Sequence, residues 1–202
     1  MIRAVSSSRR RPLRLPYYDY ASAGAYFITI CTWRRTCLFG DVRDGAMRMN
    51  RSGEIVETCW RDLPNHYPHV KLDSFVVMPN HLHGIIVLEP AADLPEKRSA
   101  IPEIVRAFKS FSARRINTLR NASGRSLWQR GYYEHVVRNE IPLAEIREYI
   151  DSNPARWLAD HNHPTFSNAV AGASLRPAPT RDVGNFDERT GCAGQAWKDR
   201  GR

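Results

Sequence analysis

Two groups of residues in this chain are equipped for chemistry. The first is the pair His81-Leu82-His83. Side chains alternate across a strand, so two histidines at i and i+2 share one face. Two imidazoles on one face can share a divalent metal, or they can be ordinary polar residues at a strand end. The surrounding run is apolar, and a buried strand is a costly place for two polar rings without partners. The second group is Tyr149 and Asn153, four residues apart and so one turn from each other on a helix. Leu143, Ile146 and Ile150 form the neighbouring apolar stripe. Tyr149 therefore sits at the edge of a buried face, either turning its hydroxyl into a cleft or packing its ring and wetting its tip. Asn153 reads equally well as the stop before Pro154. A further pair, His161-Asn162-His163, follows Asp160 in a stretch with no apolar pattern and reads as a solvated loop.

The elements that must carry these residues are legible in outline. Residues 26–34 (YFITICTWR) are β-branched and aromatic and predict a strand. Asp44-Gly45 marks a hairpin turn. Residues 53–66 predict a helix, with Ile55, Val56, Cys59, Trp60 and Leu63 on one face, Ser52 or Asn50 as its cap and Pro64 near its end. Val70–Met78 and Leu82–Glu89 predict two strands joined at Pro79-Asn80. Both are apolar on both faces, as central strands are. Residues 91–100 read as a polar loop, and 101–120 as a long amphipathic helix. A strand over Tyr132–Val137 and a helix over 141–153 follow, with Asn139 as cap and Pro142 in the first turn. The order is the βαββαβ pattern of a ferredoxin-like α+β fold with an added C-terminal helix. An antiparallel sheet with helices on one face is the expected architecture. Residues 1–16 read as a basic arm, 17–164 as the folded domain and 165–202 as a flexible tail rich in Ala, Pro, Gly, Asn and Arg.

Charge narrows the partners. The 202 residues hold 30 basic and 21 acidic side chains, a net charge of +9, and 26 of the 30 are arginine. Arginine presents a planar fork that pairs with phosphate in bidentate fashion, so a polyanion, first of all nucleic acid, is the expected partner. No apolar run approaches the length that spans a bilayer, and the N-terminus lacks the apolar core of a secretory signal. The four cysteines show no zinc-ribbon or disulfide spacing, consistent with a reduced, cytoplasmic setting.

The segments VVMPNHLHGIIV, LWQRGYYEHVVRNE and REYIDSNPARW, in this order, resemble the REP-associated tyrosine transposases. These belong to the HUH single-tyrosine transposases of bacterial insertion sequences. RLPYYDY and AYFITICTWRRTCLFG resemble the family's opening, so the likeness spans about residues 9–158. The resemblance implies that His81 and His83 bind a metal, that Tyr149 is the nucleophile and that Asn153 is a third metal ligand. It also implies Mg²⁺ or Mn²⁺ as cofactor and nucleoid-associated, single-stranded DNA with imperfect palindromes as substrate, cleaved through a 5′-phosphotyrosine and rejoined. Relatives act as monomers or as homodimers.

A single strand wants a positive groove with aromatic stacking. Arg106, Lys109, Arg114 and Arg120 on the long helix form one candidate DNA-binding face, and Arg9, Arg10, Arg11 and Arg14 on the arm another. Trp33, Tyr132 and Tyr133 are candidate stacking residues, with core packing an equal reading for each. A domesticated, non-catalytic DNA-binding protein on the same fold is the alternative function. An RNA-binding ferredoxin-like domain lacks its aromatic strand segment here. A zinc hydrolase lacks a nearby carboxylate ligand or base in the His81-His83 segment and leaves the charge unexplained.

Overall fold

The computed structural model describes residues 17–90 and 98–167. Arg9, Arg10, Arg11 and Arg14, residues 91–97 of the polar loop and the tail from 168 onward lie outside the described residues. The elements run β1 (Gly24–Cys31), β2 (Gly40–Arg43), β3 (Ala46–Met49), α1 (Arg51–Arg61), α2 (Leu63–His66), β4 (Val70–Met78), β5 (His81–Leu88), α3 (Ile101–Leu119), β6 (Tyr133–Val137), α4 (Glu140–Ser152) and α5 (Pro164–Ser167). The main sheet has the order β4-β5-β1-β6, with every pairing antiparallel. With the β2–β3 hairpin set aside, this is the ferredoxin-like arrangement that the element order predicts.

Local chemistry explains most boundaries. Asp44 (φ 52°) and Gly45 (φ 71°) are both left-handed, as the tight β2–β3 turn requires. Asn50, not Ser52, caps α1: its Oδ1 accepts from the backbone N–H groups of Ser52 at 2.9 Å and Gly53 at 3.1 Å. The single helix expected over 53–66 is instead two, broken at Asp62, because Pro64 has no N–H to continue the ladder. Asn139 holds the cap position of α4 but makes no side-chain cap bond.

Sheet coverage differs from the one-sided expectation. Tyr26, Ile28 and Ile30 of β1, with Leu82 and Ile86 of β5, pack under Val56 and Trp60 of α1 and Ile104, Val105 and Phe108 of α3. On the other face, Phe27 and Ile85 pack with Leu143, Ile146 and Ile150 of α4. A sheet buried on both faces needs strands apolar on both faces. That also explains β4, an edge strand rather than a central one: α1 and α2 meet it from one side and α4 from the other.

Gly84 belongs to this packing. A Cβ there would lie 2.5 Å from Trp60 Cζ2 and 3.0 Å from the Phe75 Cβ. Gly84→Ala should therefore overpack the core by about 1–3 kcal/mol, a fall of roughly 2–12 °C in Tm on thermal melting. An unchanged Tm would show that Trp60 can slide away freely.

Candidate metal and nucleophile site

Strand register places the histidines. His83 pairs with Thr29 and His81 with Cys31, so both imidazoles fall on the Phe27 face that α4 covers. Both are fully buried, with ring centroids 4.5 Å apart. Thr29 Oγ1 lies 2.8 Å from His83 Nδ1, and Phe27 stacks on the His83 ring at 5.5 Å. The apolar stripe of α4 docks on the same face and brings Tyr149 with it. The Tyr149 hydroxyl sits 3.4 Å from His83 Nε2, and Phe27 meets the Tyr149 ring edge-on at 6.2 Å. Asn153 follows one turn later and is buried beside them.

The segment expected to be a solvated loop is part of the site. After Asn153 the chain makes a short 3-10 turn at Trp157–Ala159 and folds back over the histidines. Trp157 is buried, 5.9 Å from the His81 ring, and Asp160 and Asn162 are buried with it. Asp160 Oδ1 accepts from the Asn162 N–H at 2.6 Å, while Oδ2 lies 3.8 Å from His81 Nε2. Asp160 is the residue that sequence reasoning missed. Polar residues with no periodicity look like solvent-facing chain, and the only hint was the aromatic Trp157 just upstream.

Among the described residues, His81, His83 and Asp160 form the one cluster that could hold a metal, with one ligand atom from each lying within 4.8 Å of the others. Three buried atoms of this cluster and its neighbour have no hydrogen-bond partner: His81 Nε2, Asn153 Oδ1 and Asp160 Oδ2. All three can offer lone pairs, and leaving such atoms bare costs about 1–3 kcal/mol each. Neutral imidazoles, an amide oxygen and one carboxylate are the donors that a hard divalent cation accepts. The residues present fit a metal.

Electrostatics agrees with a site poised for a cation. Burial above all, then the Arg35 guanidinium, lowers the His81 pKa to about 3. Burial and then His81 hold His83 well below the ordinary imidazole value. Both rings are therefore neutral, with lone pairs free to ligate. Burial, then the Asp160 carboxylate, raises the Tyr149 hydroxyl above its usual value, and the Asn153 side chain opposes them.

The expected DNA-binding cations are not gathered here. Arg106, Arg114 and Arg120 are exposed on or just after α3, across the sheet from Tyr149. Lys109 differs from them: its Nζ donates to the carbonyls of Gln129 at 2.6 Å, Arg130 at 2.9 Å and Gly131 at 3.3 Å. It closes the loop before β6 and is half-buried. Tyr132 and Tyr133 pack against the two cores, whereas Trp33 is exposed.

The family model for IS200-like transposases matches residues 23–153, which include both histidines, Tyr149 and Asn153. The chain belongs to the IS200-like transposase family. Membership carries DNA transposition as its activity, and it bears out the resemblance read from the motifs. An uncharacterized protein of Haemophilus influenzae is 41% identical over 166 residues, covering 75% of this chain and 91% of the relative. A second H. influenzae protein, named as a REP-associated tyrosine transposase, is 27% identical over 141 residues, covering 68% of this chain and 74% of the relative. A solved REP-associated tyrosine transposase bound to a REP hairpin shares the fold, with a TM-score of 0.51 and 21% identity over 71% of this chain and 72% of that one. No helix among the described residues of this transposase is long and apolar enough to cross a membrane.

One ion pair helps hold α4 in place. Arg147 Nε and Nη2 donate to the two Asp73 oxygens at 2.9 and 2.5 Å, where β4 shifts register between Leu72 and Phe75. Arg147 holds the Asp73 carboxyl below its ordinary value of 3.8. A lowered carboxyl pKa adds stability above the unfolded value and loses it as pH falls through the folded one. The pair is partly exposed, so Arg147→Ala should cost only about 0.5–1 kcal/mol at pH 7. Urea unfolding followed down in pH should show the gap between wild type and variant close below the carboxylate range. A gap that persists would place the contribution in packing instead.

Proposed function

We propose that this transposase cleaves and rejoins single-stranded DNA bearing imperfect palindromes, with Tyr149 as nucleophile and Mg²⁺ or Mn²⁺ held by His81, His83 and Asn153, to which we add Asp160. One observation carries the reading: Tyr149 Oη lies 3.4 Å from His83 Nε2, beside three buried lone-pair atoms without partners. The hairpin that the related structure binds supports the choice of substrate.

In this reading the Tyr149 hydroxyl gives its proton to solvent and its oxygen attacks phosphorus. The new O–P bond forms as the bond from phosphorus to the 3′ oxygen breaks. The 3′ oxygen takes up a proton and leaves as a hydroxyl, and the DNA stays attached as a 5′-phosphotyrosine. The phosphodiester is conserved in this link, so a 3′-hydroxyl can attack it and restore a strand without an external energy source. The bound cation would supply positive charge to the non-bridging phosphate oxygens as negative charge builds. In this reading the four proposed ligands and Tyr149 all come from one chain. Tyr149 is on α4 and Asn153 is its C-cap, so in this reading docking one helix brings a ligand and the nucleophile together.

Labelled single-stranded hairpin DNA from the sequence flanking the gene, incubated with Mn²⁺, should give an SDS-resistant protein–DNA adduct. Tyr149→Phe should lose the adduct yet keep hairpin binding within about threefold, because a lone hydroxyl adds little to a phosphate-dominated interface. An adduct surviving in Tyr149→Phe would overturn the assignment. Asp160→Asn removes the only anionic ligand of the set and should weaken Mn²⁺ binding, read by calorimetry, on the order of tenfold.

A further inference from the structure

The turn before β5 holds a residue that the proposed chemistry leaves unused. Asn80 is fully buried in the turn between β4 and β5. Its Nδ2 donates to the Asn162 carbonyl at 2.7 Å and to the Arg35 carbonyl at 3.0 Å. Carbonyl oxygens can only accept, so the amide nitrogen must face them and the amide cannot flip. Oδ1 is then turned toward His81 Nδ1, at 2.8 Å. An amide oxygen can only accept, so the proton of the neutral His81 ring belongs on Nδ1. The Nε2 lone pair is left bare, and Nε2 is the atom that lies toward Asp160 without a hydrogen-bond partner.

We infer that Asn80 is a positioning residue that fixes the His81 tautomer, so that Nε2 is presented to a metal. The inference rests on the metal-site reading of the cluster. Histidine ligands commonly donate their second N–H to an oxygen that sets ring orientation and basicity. Here that oxygen belongs to the residue next in sequence, and its own orientation is set by two carbonyls from elsewhere in the chain. One belongs to the turn after β1, where Arg35 is left-handed (φ 54°) and its guanidinium donates to the His161 carbonyl at 2.8 Å. The other belongs to the segment that carries Asp160. Asn80 thus ties both segments that border the cluster to the ring of one ligand. His83 lacks this determinacy: its Nδ1 faces the Thr29 hydroxyl, which can donate or accept.

The test has two readouts on the full chain. Long-range proton–nitrogen spectra of histidine-labelled, metal-free protein report which ring nitrogen of His81 carries the proton. Wild type should show the Nδ1-protonated form alone. Asn80→Leu should give a mixture or the Nε2-protonated form and weaken Mn²⁺ binding about 10–100-fold by calorimetry. Asn80→Asp loses the two donations to the carbonyls but keeps an acceptor for Nδ1–H, so the folded variant should keep the tautomer, with Mn²⁺ binding closer to wild type than in the leucine variant. It also serves as the test if Asn80→Leu does not fold. An Nε2-protonated His81 in wild type, or in a folded Asn80→Asp, would overturn the inference, as would a folded Asn80→Leu with unchanged tautomer and affinity. Failure of the wild type to bind Mn²⁺ would instead sink the metal-site reading. The tautomer of the metal-free protein would still decide the role of Asn80.

Discussion

β5 cannot turn Leu82 and Ile86 toward α1 and α3 without turning His81 and His83 the other way, because successive side chains of a strand alternate. The rest of the site follows from this constraint. The face that receives the histidines is also the face that α4 covers, so the imidazoles are sealed from water rather than left at a wet sheet surface. The pairing with β1 then sets the neighbours, Thr29 opposite His83 and Cys31 opposite His81. Cys31 is fully enclosed and its thiol is pushed up to about 12 by burial, so it stays protonated and donates to Asn162 Oδ1 at 3.6 Å.

The buried cluster is unfavourable as it stands, and the proposed cation would relieve it. Two neutral imidazoles, an amide and a carboxylate are enclosed together, and His81 Nε2, Asn153 Oδ1 and Asp160 Oδ2 lack the partners that water would give them. Desolvation, the same physical cause that keeps the imidazoles neutral, keeps the Tyr149 proton on its oxygen. A positive charge among them would favour deprotonation of Tyr149 and satisfy the bare atoms at once. In this sense the proposed metal completes the fold locally as well as serving the chemistry.

Docking of α4 is the second requirement, and it is met by different forces. Leu143, Ile146 and Ile150 supply apolar burial against Phe27 and Ile85, while the Arg147–Asp73 pair sets the helix against the irregular part of β4. The chain then leaves α4 and returns over the histidines through Trp157, which carries Asp160 into place. The basic face of α3 lies on the far side of the sheet from this assembly. A substrate touching both Arg114 and Tyr149 would have to wrap around the sheet edge.

What the sequence determined by itself was local and periodic. The His81-Leu82-His83 alternation, the one-turn spacing of Tyr149 and Asn153, the apolar stripes and the order of elements follow from repeat lengths of two and 3.6 residues, and each survived into the structure. What only the tertiary structure decided depends on contacts distant in sequence. β4 is apolar on both faces whether it lies at the centre or at a covered edge, so its sequence could not tell the two apart. The side of the sheet taken by α4 was open for the same reason. Lys109 looked like any exposed helix cation until the loop before β6 placed three carbonyls around it. Asp160 and Asn80 carry no periodic signal at all. The roles proposed for them arise because one chain reversal brings residues 160–162 against the turn at 79–80, about eighty positions away, and hydrogen bonds made in that contact orient groups that propensity alone leaves free.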